Sequence, residues 1–303
     1  MNGNVNIAFC FDGNLWMQAG VAITSLLIAS DNRCAYNIYC VVADDVIELY
    51  QRELKKIVNN LSKESKIIFK NAGDAFKDGY VCRYATASYY RLLMHKMFPE
   101  VDKMLYADVD VIFLDQVRDL YEFDMGDNYV AAALDNANLK NNFNYHCKKY
   151  ASWSKYKFQT LFRNYVNMGV SLWNLKKIRE TGIFEQWESL ATEEFPYIDQ
   201  DVINYSCQGK ITSISPVYNV MPANYGNIDG EDKTVWQAMK EEKLISEREY
   251  KAVYDNPCII HYCGAKPWNE KIIRYYEDWW YMAAQTPFAS VFLARLAVKN
   301  NER

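Results

Sequence analysis

The sequence predicts an α/β fold: one domain built on a mainly parallel, mixed sheet, with helices on its faces and a short helical tail. Three observations carry this. Short apolar runs without a helical period alternate with longer stretches whose leucines and isoleucines recur at helical spacing. Half of the 303 residues are hydrophobic and 15% are aromatic, which suits a chain with a sizeable core. No internal repeat, low-complexity linker or composition break divides the chain, so the domain is drawn at 1–283 and the tail at 284–303.

Val5 to Phe11 is the first apolar run and stops at Asp12-Gly13-Asn14. Gly20 to Ser30 is helical in character, and Tyr36 to Ala43 is the second apolar run. Asp44 and Asp45 are placed to cap a helix that reaches Leu61, and Lys66 to Lys70 is a third strand. Strands alternating with helices argue for parallel pairing, and ligands of such sheets sit beyond the carboxyl ends of strands, where Asp12 and Asn14 lie. Tyr84 to Met97 reads as a helix carrying Arg91. An apolar strand into Asp108 follows, then Tyr129 to Leu134, ending at Asp135. From Leu139 to Tyr165 the pattern breaks into Asn, Lys and aromatics, an irregular excursion long enough for a lid or acceptor loop. Asn167 to Asn174 resumes a strand, and helices run through Leu190. Ile198-Asp199-Gln200-Asp201 opens another helix with acidic residues in its first turn. Pro257 to Tyr262 is the last strand, running into Gly264-Ala265-Lys266.

Composition removes several functions. A net charge of −4 gives no electrostatic case for nucleic acid. Eight scattered cysteines without a Cys-x-x-Cys pair, and an N-terminus without signal-peptide layout, predict reduced thiols in a cytoplasmic protein. No apolar run approaches the roughly 20 residues that span a bilayer.

The chemistry centres on Met104 to Leu114. Along extended backbone Asp108 and Asp110 point to one side. Two carboxylates aimed together into an apolar setting are opposed by like charge and desolvation, and a bound divalent cation removes that cost. His261, one of three histidines, stands in the apolar run Cys258-Ile-Ile-His-Tyr-Cys and completes a two-oxygen, one-nitrogen set. Such a set suits Mn²⁺ better than Mg²⁺, which is the second candidate, or Ca²⁺. A diphosphate would fill the remaining positions, with Lys266 and Arg91 balancing its charge. Each piece alone has an ordinary reading: a hydrogen-bonded core histidine, a chance Asp-x-Asp, a structural arginine, a surface lysine.

The order of the pieces carries more. Asn6-Ile-Ala-Phe-Cys-Phe-Asp12-Gly-Asn14, Ser88-Tyr-Tyr-Arg91-Leu, Leu105-Tyr-Ala-Asp108-Val109-Asp110, Asn167-Met-Gly169-Val, Asp199-Gln200-Asp201, Asn219-Val-Met-Pro-Ala-Asn-Tyr225 and His261-Tyr-Cys-Gly264-Ala-Lys266-Pro-Trp268 follow one another across residues 6 to 268. In this set the chain resembles glycosyltransferase family 8, the retaining GT-A group of bacterial lipopolysaccharide galactosyl- and glucosyltransferases and of glycogenin.

The resemblance implies a GT-A, Rossmann-like fold and a UDP-galactose or UDP-glucose donor bound with Mn²⁺. It places Asp108, Asp110 and His261 on the metal, and Cys10, Asp12 and Asn14 on the nucleoside. Arg91, Asp108 and Val109 fall near the donor, and Gly264 and Lys266 on the diphosphate turn. Asp135, Asn167, Gly169, Asp199 and Gln200 fall around the donor sugar, with Gln200, Asp199 and Asp135 as the catalytic candidates. The implied reaction is hexose transfer with retention to a hydroxyl of a glycan or lipid-linked glycan, by a front-face route in which the Gln200 carbonyl steadies the sugar. Two departures stand out: one residue, Ala265, separates Gly264 from Lys266 where the family has two, and Leu15 replaces an aromatic. A protein acceptor, a nucleotidyltransferase, a phosphoesterase and a non-catalytic sugar-nucleotide binder are the competing readings. The tail from Thr286 to Lys299, with Arg295, Lys299 and Arg303, is an amphipathic candidate for peripheral contact with the inner face of the membrane.

Overall fold

The computed structural model describes residues 3–30, 34–80, 85–135, 150, 152–222, 246, 248, 253, 255–269 and 273–301. β1 (Val5–Phe11), β2 (Tyr36–Val42) and β3 (Lys66–Asn71) pair in parallel, and β1 pairs in parallel with β4 (Lys103–Ala107). Beyond β4 the direction reverses. β7 (Val166–Asn174) is antiparallel to both β4 and β6 (Val130–Leu134), and β6 pairs in parallel with β8 (Ile211–Ser213). The order β3-β2-β1-β4-β7-β6-β8 makes one seven-stranded sheet; β5 (Val111–Phe113) and β9 (Ile259–His261) form a separate antiparallel pair.

Alternation along β1 feeds two cores. Val5, Ile7, Phe9 and Phe11 join α1 (Trp16–Ser30) on one face, while Ala8 and Cys10 join Tyr89, Tyr106 and Trp187 on the other. α1 is apolar on nearly every side because it is covered nearly all round. The sheet lies on one side of it, and Leu54 of α2 (Glu48–Leu61), Trp279, Phe288 and Phe292 share its core. The tail helix Ala289–Asn301 thus buries Phe292 and Leu296 while Val291, Leu293 and Val298 are exposed. Arg303 lies outside the described residues. Among the described residues no helix is long and apolar enough to cross a membrane.

Several expectations are corrected. α1 starts at Trp16, not Gly20, immediately after the Asp12 turn. Asp44 and Asp45 do not cap α2, whose N-cap is Ile47 with no side-chain bond. Standing at the carboxyl end of β2, they meet neighbouring strand ends instead: Asp45 Oδ1 accepts from Gly13 N at 2.8 Å, and Asp44 Oδ1 from Asn71 Nδ2 at 2.6 Å. The Arg91 segment is 3₁₀ over Thr86–Leu93 with one α turn, Met94–Met97. The three-residue repeat sets Arg91 Nε back on Ser88 O at 3.1 Å. Asp108 and Asp110 occupy a turn between β4 and β5, not a continuous strand. Of the irregular excursion, 139–149 and 151 lie outside the described residues. The rest contains a regular helix, Lys155–Leu161, capped by Ser154 Oγ.

Candidate functional site

Pairing register builds the site. Val111 of β5 faces His261 of β9, and Tyr262 N donates to Asp110 O at 2.9 Å, so the histidine is delivered beside the aspartate turn. Asp108 N donates to Gly169 O on β7 at 2.7 Å. One candidate ligand atom from each of Asp108, Asp110 and His261 lies within 4.8 Å of the other two. His261 Nε2 is 3.3 Å from Asp110 Oδ1 and 3.7 Å from Asp108 Oδ2. Gly169 is required by close approach: a Cβ there would overlap the His261 ring and lie 2.8 Å from Asp108 Oδ2. Two carboxylate oxygens and an imidazole nitrogen converging in this way fit a divalent cation.

The two aspartates differ. Asp108 Oδ1 accepts from Tyr106 OH at 2.6 Å and Arg91 Nη2 at 2.9 Å, which turns Oδ2 to His261. Asp110 Oδ2 is ion-paired with Lys266, whose Nζ also donates to Tyr262 O at 2.8 Å. Burial alone would raise the Asp110 carboxyl, but the Lys266 ammonium and His261 outweigh it and hold it well below the usual carboxylate range. Lys266 follows Gly264, whose φ of +96° is a conformation side chains rarely adopt.

Arg91 is the buried cation of the site. Nη1 donates to Met168 O at 2.8 Å, and Nε lies 2.8 Å from Asp199 Oδ2, although its N–H is directed at Ser88 O. Burial pushes the Asp199 carboxyl up to about 7, with Arg91 opposing and Asp108 reinforcing. The residue before it, Ile198, is β-branched with φ +38°, a strained conformation at the helix start.

A second layer of amides connects these groups. Asn167 Nδ2 donates to Asp135 Oδ2 at 3.2 Å, while Asn167 Oδ1 accepts from Gly169 N at 3.0 Å and Asn219 Nδ2 at 2.9 Å. Asn219 Oδ1 faces His261 Nδ1 at 3.0 Å. Gln200 Oε1 accepts from Met168 N at 3.0 Å, and its Nε2 donates to Tyr165 OH at 3.0 Å and Asp135 Oδ2 at 3.4 Å. Asp201 points away, into an aromatic cluster.

The fold therefore brings Arg91, Asp108, Asp110, Asp135, Asn167, Gly169, Asp199, Gln200, His261 and Lys266 into one connected set. Asp12 and Asn14 form a local turn at the end of β1, with Asn14 N on Asp12 Oδ1 at 3.0 Å. Cys10 is buried beneath it, its thiol pushed up by burial against the pull of Arg91. The Val109 side chain lies in the core and offers the site only backbone. Leu15 packs partly buried against the same core. Sequence reasoning missed Tyr106, Tyr165 and Asn219 as site residues. Tyr106 was findable, two residues before Asp108; Asn219 opens a motif that matches the family, but nothing local ties it to His261.

A mixed sheet of this order, with an acidic and histidine cluster at the carboxyl end of β4, defines the GT-A class of glycosyltransferase folds. The galactosyltransferase LgtC, solved with donor and acceptor sugar analogues, matches with a TM-score of 0.73 at 23% identity, over 93% of this chain and 96% of that one. The model of glycosyl transferase family 8 matches residues 6–272, and the chain belongs to that family. Relatives include the Escherichia coli lipopolysaccharide 1,2-glucosyltransferase, 22% identical over 88% of this chain and 73% of that protein. A Haemophilus influenzae protein assigned provisionally as a glycosyltransferase is 27% identical over 73% of this chain. The match spans 62% of that relative's length.

Proposed function

We propose that the chain is a retaining hexosyltransferase that moves galactose or glucose from a UDP-sugar to a glycan hydroxyl, with Mn²⁺ between Asp108, Asp110 and His261. The convergence of those three side chains beside Lys266, at positions matching the family's motifs, carries the reading. The bound cation supplies charge neutralisation at the diphosphate.

Every other role falls to the chain itself. Lys266 pairs with the diphosphate oxygen on which charge grows as the sugar leaves. Arg91 holds Asp108 and Asp199 in place from below. Gln200 Oε1, which accepts Met168 N–H, has a second lone pair, and its dipole steadies the cationic sugar. The bond from the anomeric carbon to phosphate oxygen breaks as the bond to the acceptor oxygen forms on the same face. The departing phosphate oxygen takes the acceptor's proton, and UDP is released.

The acceptor in this reading is lipopolysaccharide or another bacterial surface glycan, reached from the cytoplasmic side. The exposed Val291, Leu293 and Val298, with Arg295 and Lys299 on the same helix, support peripheral membrane contact. A panel of UDP-sugars assayed for Mn²⁺-dependent release of UDP tests the activity. UDP from a hexose donor with retention in the product is expected; pyrophosphate release, or no turnover of any UDP-hexose, would overturn the proposal.

A further inference from the structure

The metal reading needs His261 to present a bare nitrogen, and the nearest groups oppose that. A neutral imidazole carries one proton, which its two nitrogens share out according to what each faces. Nε2 faces two carboxylates, Asp110 Oδ1 at 3.3 Å and Asp108 Oδ2 at 3.7 Å, and both attract an N–H. Left to them, the proton would sit on the nitrogen that must bind metal. Something on the other side of the ring has to claim it.

The other side is Asn219, and its orientation is set by backbone. Gly169 N–H can only donate, so the Asn167 atom that receives it at 3.0 Å is the carbonyl oxygen Oδ1. The same Oδ1 lies 2.9 Å from Asn219, which must therefore present its NH₂ group there. The carbonyl of Asn219 is then the atom facing His261 Nδ1 at 3.0 Å, and it can only accept. Asn167 Nδ2 closes the chain on the Asp135 carboxylate at 3.2 Å. Asn219, Asn167 and His261 are 1%, 3% and 3% exposed, so bulk water does not reach these bonds and a mismatch carries the cost of a buried polar group.

We propose that Asn219 is a positioning residue that holds the neutral His261 ring with its proton on Nδ1, leaving Nε2 bare toward Asp108 and Asp110. It ties the histidine of β9 to Asn167 of β7, so the metal-facing ring and the segment beside Gln200 are oriented by one amide chain. The inference rests on the proposed metal site only for its purpose; the proton's position is a property of the metal-free protein.

Nitrogen NMR of the metal-free full chain with isotope-labelled histidine, at a pH where the ring is neutral, reads that position directly. Three histidines make assignment by single substitution simple. The wild type should show a protonated Nδ1 and a bare Nε2, and Asn219→Leu should move the proton to Nε2. In the presence of UDP, Mn²⁺ affinity of Asn219→Leu should fall about 10- to 100-fold. Asn219→Asp, which still accepts from Nδ1 but sets a carboxylate oxygen against Asn167 Oδ1, should keep the Nδ1 proton and recover only part of the affinity. A wild type protonated at Nε2 overturns the proposal whatever the variants do. So does Asn219→Leu that retains both the Nδ1 proton and full Mn²⁺ affinity. A wild type with the expected proton but no Mn²⁺ binding would support the inference and refute the metal reading.

Discussion

Two acidic centres of this protein solve the same problem in opposite ways. Asp201 is fully buried, yet Tyr165 OH at 2.5 Å, Tyr150 OH at 2.7 Å and Tyr197 N at 2.8 Å donate to its two oxygens. Asp108 and Asp110, by contrast, face one another and His261, and the protein answers them with Arg91, Tyr106 and Lys266 on their outer oxygens only. A carboxylate surrounded by donors is part of the architecture. A pair whose inner oxygens face each other and His261 is, in the proposed reading, the place for a cation. The first should govern stability and the second function.

The sharpest break of this comparison is Asp110→Asn against Asp201→Ala. Asp110→Asn should lower turnover by about 100- to 1,000-fold or more and cost less stability than Asp201→Ala, since it breaks only the pairs with Lys266 and His261 at a partly open site. Asp201→Ala should cost on the order of 3 kcal/mol of stability, because it strands two tyrosine hydroxyls and an amide N–H in the interior. Thermal melts and steady-state kinetics on both proteins check it; a reversed pattern would dissolve the distinction.

Tyr165 joins the two centres, donating to Asp201 and accepting from Gln200. Tyr165→Phe should therefore show both effects in reduced form, a stability loss of about 1–2 kcal/mol and a fall in kcat of roughly tenfold with donor affinity kept. Gln200→Ala should leave UDP-sugar binding intact while slowing transfer about 100-fold, measured by calorimetry and product formation. Wild-type turnover in that variant would remove Gln200 from the mechanism.

A separate effect comes from His95, buried against Phe184 and Trp187. Burial depresses its pKa from 6.5 to about 4, with Leu92 O opposing at 2.9 Å and the nearby Lys96 adding to the fall. Above pH 6.5 the ring is neutral in folded and unfolded chains and stability is complete. As pH falls from 6.5 to 4 the unfolded chain takes the proton and the folded one does not. Stability on the order of 3 kcal/mol is lost across that window. Asp199, raised to about 7, gains stability over the same fall in pH. The His95 contribution is therefore read as the difference between wild type and His95→Phe in denaturant titrations at pH 7 and pH 4.5, the wild type losing more.

How much of this was legible in the sequence follows from distance. Strand identity was for β1 to β4, β6, β7 and β9, because an apolar run without helical period can be buried between two helical layers in only one way; β5 and β8, three residues each, are too short to show a period. The grouping of Asp108, Asp110 and His261 was legible through motif order, although Asp108 and His261 are joined by the β5–β9 register, which no local pattern encodes. The roles of Asp44 and Asp45 were misjudged because nearness in sequence to α2 was weighed above nearness in space to Gly13 and Asn71. The 3₁₀ course of Thr86–Leu93 escaped because its composition suits either helix type. Asn219 was invisible as a partner of His261, since its meaning lies in two hydrogen bonds to residues 42 and 52 positions away.

Anomalous diffraction from crystals soaked with Mn²⁺ and UDP addresses the central claim most directly. One manganese ion should appear, bound by Asp108, Asp110 and His261 Nε2, with the UDP diphosphate completing its shell. Manganese found elsewhere, or UDP bound with those three side chains unable to share an ion, would contradict it.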